Sequence, residues 1–170
     1  MQAEAQNIII KKLQELQQRI IANIESSGQS ASGRTAASLR VEPNETGATL
    51  YGRRAFATLE TGRKPGKTPY QFTRVIWQWI VDKGIRVSPI DYKRQASAKW
   101  QPMYSPQERG ELSLAGAIAH KIQTEGTALF RNGGRSDVYS NEIPRTIAEI
   151  KQEITPLLKA EILQTIKINN

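Results

Sequence analysis

Two long amphipathic patterns bracket this chain, and they leave few folds open to it. Over residues 3–25, Ile9, Leu13, Leu16, Ile20 and Ile24 recur at spacings of four, three, four and four, which is one stripe of a helix. Ile8, Ile10 and Ile21 widen that stripe. Near the other end Ile143, Ile147, Ile150, Ile154, Leu158, Ile162 and Ile166 keep the same spacing across Pro156. A proline there removes one backbone bond, so a kink or split is expected near Thr155. Apolar faces this wide have to be covered, by the same domain or by a neighbouring subunit. Ile9, Leu13, Leu16 and Ile20 on the first helix, and Ile147, Ile150 and Ile154 on the last, are therefore the candidate subunit contacts.

Between the two patterns the chain is punctuated. Ser26-Ser27-Gly28 ends the first helix, and a Ser/Gly/Ala-rich link runs to Gly33. Ser38–Glu42 reads as a short strand, Pro43–Gly47 as a turn and Ala48–Thr58 as a longer strand, with Gly52 marking a bulge or close backbone approach. From Gly62 to Lys67 two glycines, one proline and three cations make an exposed basic loop. Thr68, Pro69 and Gln71 then form a capping-box pattern. Phe72, Val75, Ile76, Trp79 and Ile80 follow at helical spacing, and Gly84 is the stop. This helix is expected to dock on the sheet with Trp79 inward and Trp77 nearer the rim. Ser88-Pro89, Gln101-Pro102 and Ser105-Pro106 interrupt residues 86–110, which read as a long loop. A helix over Ser113–Glu125 packs through Leu114, Ile118 and Ile122 and ends at Gly126. The fold class expected is α+β: an antiparallel hairpin or small sheet packed with helices, and long amphipathic helices at both termini. One domain is expected, with 1–28 as a helical arm, 34–130 as the core and 141–168 as a kinked C-terminal helix.

The residue types restrict the chemistry. There is no cysteine, so no disulfide or thiolate metal site is possible, and one histidine, His120, cannot build a zinc site or a nucleophilic triad. Aspartate occurs only at 82, 91 and 137, and none is paired with another carboxylate at metal-binding or acid–base spacing. Glu149 and Glu153 read as an ordinary solvated helix face. Gly66-Lys67-Thr68 resembles the end of a phosphate loop, but Thr61 stands where its first glycine would be. No metal and no cofactor is implied. Glu4, and the lack of an apolar run after a basic start, argue against a signal peptide. No apolar stretch approaches the roughly 20 residues that span a bilayer.

Charge is concentrated. Residues 51–101 hold eleven Lys and Arg against three acids, which accounts for the whole net charge of +8. Arg53, Arg54, Arg63, Lys64 and Lys67 lead that run and are the candidate partner-facing or DNA-facing cations. Trp77, Tyr92, Arg94 and Trp100 add an aromatic–basic mixture that could stack bases. A core-edge role is the simpler reading of Trp77.

Three short blocks carry a resemblance. They are Ser32–Leu39, the stretch Leu50–Gly62 with Ala55-Phe56-Ala57 before Glu60-Thr61-Gly62, and Ala117–Thr127, which ends in Glu125-Gly126-Thr127. In this order they resemble the tail-completion and head–tail joining proteins of tailed bacteriophages. The resemblance implies a non-enzymatic structural protein of the virion neck or tail, assembled in the host cytoplasm. It also implies partners: other copies in a six- or twelve-fold ring, portal or connector proteins, tail proteins, and non-specific contact with packaged DNA. Adaptor, tail terminator and tail-completion ring all fit. The competing reading is a basic nucleic-acid-binding module using 51–101 on phosphate, with an enzyme a distant third.

Overall fold

The computed structural model describes residues 2–93 and 101–168. It divides into two compact units: residues up to Glu60 together with those from Arg135 onward, and Thr61–Gly134. The class is α+β, with one two-stranded antiparallel sheet and a long helix at each end.

In the first unit, α1 (Gln2–Ser26) packs against both strands and the C-terminal helix. Leu16, Ile20 and Ile24 are buried with Ala36, Leu39 and Val138, and Leu13, Leu50, Phe56, Leu59 and Tyr139 pack around them. Strands β1 (Arg40–Asn44) and β2 (Gly47–Tyr51) pair from Arg40↔Tyr51 to Asn44↔Gly47. The turn is Glu45-Thr46, set by the Asn44 side chain, whose Oδ1 accepts from the Thr46 N–H at 3.1 Å. Helix α6 (Glu142–Ile168) runs antiparallel to α1, tied by Arg19 to Glu142 (3.0 Å) and Glu149 (3.4 Å) and by Lys12 to Glu153 (2.8 Å).

Three expectations need correction here. The expected partition into a 1–28 arm and a 34–130 core does not follow the two units, since the stripe of α1 is buried with Ala36, Leu39 and Val138 in the first of them. The strand beginning at Ala48 stops at Tyr51. Residues Arg54–Ala57 form a 3₁₀ turn, and α2 (Thr58–Thr61) follows. Strand β1 begins at Arg40, opposite Tyr51, so β2 has no ladder partner beyond Tyr51, whereas turning inward brings Phe56 onto Tyr139, ring centroids 4.9 Å apart. Finally, of the kink or split expected near Thr155, the split does not occur in α6. The helix continues through Pro156, and the Thr155 hydroxyl donates to the Lys151 carbonyl at 2.6 Å. Gly52 lies just past β2 rather than inside a strand, and what a Cβ there would meet is the Leu39 side chain, at 3.0 Å, not another backbone.

The second unit is helical. Helix α3 (Phe72–Asp82) packs on α4 (Pro106–Glu125), burying Ile76, Ile80, Ala115 and Ala119, and a short α5 (Ala128–Arg131) follows. Gly84, at φ +62, ends α3 as expected: its N–H reaches Val81 O and the Ile85 N–H reaches Ile80 O. The expected docking on strand 48–58 is replaced by docking on α4. Ile76 is buried, but Val75 is 60% and Trp79 39% exposed, so these two do not form the core. Trp77 stands at the core edge and its indole N–H donates to Glu111 at 2.9 Å.

The caps explain the helix boundaries. At Thr68-Pro69-Tyr70-Gln71 no capping box forms; Gln71 turns left-handed at φ 65 and α3 starts after it. The box forms at Ser105-Pro106-Gln107-Glu108, where the Ser105 hydroxyl accepts from the Glu108 N–H and the Glu108 carboxylate accepts from the Ser105 N–H at 2.7 Å. Ser105-Pro106 therefore starts a helix rather than breaking one, and α4 begins seven residues before Ser113. Residues 87–92 are pinned along α4. Gly110 admits the Ser88 carbonyl where a Cβ would sit 2.2 Å from its oxygen, and Arg109 donates to Ile90 O and Asp91 O.

Candidate functional site

Two of the three sequence blocks meet in the second unit. Gly62, at φ +67, lies so close to α5 that a Cβ would stand 2.5 Å from Thr127 Oγ1 and 2.6 Å from the Phe130 nitrogen. Arg63 and Thr127 then exchange bonds. The Arg63 N–H donates to Thr127 Oγ1 at 2.9 Å, and the Thr127 N–H donates to Arg63 O at 2.9 Å. Gly126, at φ +82, leaves room for the Arg63 carbonyl, and the Gly66 N–H donates to Gln123 O. The basic loop is thus stitched to the end of α4. Glycine is required at both positions by backbone conformation and by space.

The loop's cations divide into two kinds. The Arg63 guanidinium folds back, donating to Lys67 O at 2.9 Å and lying 5.2 Å from the Phe72 ring centroid. It is half-buried and shapes the loop. Lys64 and Lys67 are exposed. Arg53 and Arg54 are exposed too, but they belong to the first unit, so the five candidate cations are shared between two bodies.

The acid of the Glu60-Thr61-Gly62 block anchors the first unit. Glu60 is 2% exposed, and its Oε1 accepts the N–H groups of Val138 (2.8 Å), Tyr139 (2.7 Å) and Ser140 (3.0 Å). The Ser140 hydroxyl donates to Oε2, and the Arg135 N–H donates to the Glu60 carbonyl. Burial pushes this carboxyl up, but the Ser140 hydroxyl and the three N–H groups outweigh it and leave the pKa below the ordinary value. The Ser32–Leu39 block is structural as well. Ala36 and Leu39 are core residues, and Ser38 Oγ accepts from the Arg53 N–H at 3.1 Å.

Of the candidate subunit contacts, Leu16 and Ile20 are buried in the first unit's core and Leu13 packs against it, which corrects their reading as a face for a neighbour. Ile9, Ile150 and Ile154 are half-buried, and Ile147 is exposed. Exposed apolar side chains continue along α6 through Leu158, Ile162 and Ile166. The base-stacking candidates are engaged elsewhere: Arg109 covers the Tyr92 ring at 3.9 Å, and the Tyr92 hydroxyl donates to Tyr104 O. Arg94 and Trp100 lie outside the described residues. His120 is exposed on α4.

Among the described residues no group of His, Asp and Glu gathers to hold a metal ion, and no helix is long and apolar enough to cross a membrane. Comparison with protein-family models, with curated proteins and with solved structures returned no match. Two features escaped the sequence reading. The Glu60 cage leaves only a weak trace, a lone acid before Thr-Gly. The Ser105 capping box left a full signature, Ser-x-x-Glu, hidden by the habit of reading Ser-Pro as a break.

Proposed function

We propose that this chain is a non-enzymatic structural protein of a tailed-phage virion, a ring-forming component of the neck that joins head to tail. The observation that carries the reading is the pairing of the Glu60–Arg63 and Glu125–Thr127 segments through Gly62, Arg63 and Thr127. Arg63, directly after one of the blocks that resemble the joining proteins, and Thr127, at the end of another, lie 64 residues apart and yet close one stitched loop, with Lys64 and Lys67 exposed. The partners in this reading are further copies of the chain, an acidic neighbouring ring and tail proteins. The exposed stripe of α6, Ile147, Leu158, Ile162 and Ile166, supplies apolar surface for association between copies.

The charge of the second unit favours a second reading, a nucleic-acid-binding module. The two separate on salt. A module on duplex DNA loses about 0.9 log unit of affinity per phosphate contact for each log unit of salt. Replacing Lys64 and Lys67 with Ala then flattens that slope by up to about 2. The joining reading expects weak DNA binding by the purified chain, and the double variant leaves heads and tails unjoined. Tight DNA binding lost in the double variant, with joining intact, reverses the choice.

A further inference from the structure

The second unit carries an apolar cavity of about 520 Å³ that the basic loop does not use. Trp79, Ile118, Ile122 and Leu129 wall it, so it lies among α3, α4 and α5, and Lys121 and Arg131 stand at its rim. Its size is that of a binding pocket, roughly 300–1,000 Å³. The apolar surface also continues outside it, because Val75, one turn before Trp79 on α3, is 60% exposed and does not line the cavity. A small ligand would leave that outer strip uncovered. A helix laid in the groove would cover both.

We propose that this groove docks an amphipathic segment of a partner protein, one that presents bulky aliphatic residues flanked by Asp or Glu. Charge selects the acidic flank. Both rim cations turn to one acid, Glu125, at 4.0 Å from Lys121 and 3.2 Å from Arg131, so one positive charge is left over at the mouth. The whole unit has twelve Lys and Arg against five Asp and Glu, a net of +7. Charge also argues against a second copy as occupant. The acids along this chain's own α6 stripe are engaged: Glu142, Glu149 and Glu153 by Arg19, Arg145 and Lys12, and Glu161 by a further contact. This inference rests on the groove alone and is independent of the particle the chain builds.

The test uses the full chain with Trp77→Phe and Trp100→Phe, so that Trp79 is the sole indole, and its melting curve checks the fold. The probes are a synthetic Leu/Glu amphipathic helical peptide, its Leu/Lys counterpart, and sodium decanoate. The expected result is a saturable blue shift of Trp79 emission with the Leu/Glu peptide, weakened roughly tenfold by Lys121→Glu. Ala128→Glu, an exposed change at the rim, should weaken it similarly without lowering the melting temperature. Equal binding of the Leu/Lys peptide would overturn the proposal, as would no saturable response. Decanoate binding without peptide binding would also overturn it, making the cavity a small-molecule site.

Discussion

The two units handle charge in opposite ways. The first holds twelve Lys and Arg against eleven Asp and Glu, a net of +1, and spends them internally: Arg19 on Glu142 and Glu149, Lys12 on Glu15 and Glu153, Arg135 on Asp137. Its deeply buried carboxylate, Glu60, is satisfied by three backbone N–H groups and the Ser140 hydroxyl. The second unit has the same number of cations but five acids, so at least seven cations cannot have an acid of their own within it. The +8 of the chain is therefore almost wholly a property of one body. A unit that pairs its charges is built to hold a shape. A unit that leaves them unpaired raises its own repulsion and offers a field to an acidic partner.

The sharpest way to break this comparison is through the cores. Ile20→Ala in the first unit and Ile80→Ala in the second should each cost about 2–5 kcal/mol in denaturant unfolding. A negligible cost for Ile20→Ala would return α1 to the status of an arm awaiting a neighbour. Next in size is Glu60→Ala, which strands three N–H groups in a buried site and should cost about 3 kcal/mol. Its pH dependence has a definite sign. The folded pKa is depressed, so the stabilisation is present above the unfolded value of about 4.3 and is lost as pH falls through the folded one. The stability gap between wild type and Glu60→Gln should therefore shrink on acidification below pH ~4; a gap that widens would contradict the cage.

Smaller effects sharpen the account of the second unit. Trp79→Ala should cost about 1–2 kcal/mol, well short of a fully buried tryptophan, because a large part of its ring already faces solvent. Arg63→Ala should cost about 1 kcal/mol through its lost packing on Phe72. Lys64→Ala and Lys67→Ala should stay within about 0.5 kcal/mol of wild type. If the lysines matter to the melting temperature as much as Arg63 does, the loop's cations are structural and the outward-facing reading of this unit fails.

Much of this architecture was legible in the sequence, for reasons that differ by element. The stripe of α1, the stop at Gly84 and the end of α4 at Gly126 follow from periodicity and glycine, which act locally. The hairpin is legible, but its second strand reads too long, because nothing local to 52–58 says that the partner strand begins only at Arg40. Two similar cap signals fared differently. Ser105-x-x-Glu108 caps a helix, with a charged acid that also suits the helix dipole. Thr68-x-x-Gln71 does not, because the preceding loop is held by Thr127 and Gln123 and the chain must turn at Gln71 before Phe72 can face α4. Trp79 was placed inside by spacing alone, since a stripe shows which residues share a face and not which neighbour covers it. The site was legible in part: Lys64 and Lys67 are exposed as read, whereas the inward turn of Arg63 depends on contacts with residues distant in sequence.

The central claim, that this chain joins heads to tails, is tested most directly by electron microscopy of particles assembled without it. On the proposed reading, silencing its gene in a tailed phage should leave DNA-filled heads and complete tails lying separate, rejoined when the chain is supplied in trans. Normally joined virions in its absence, or heads that fail to fill while tails stay attached, would contradict it.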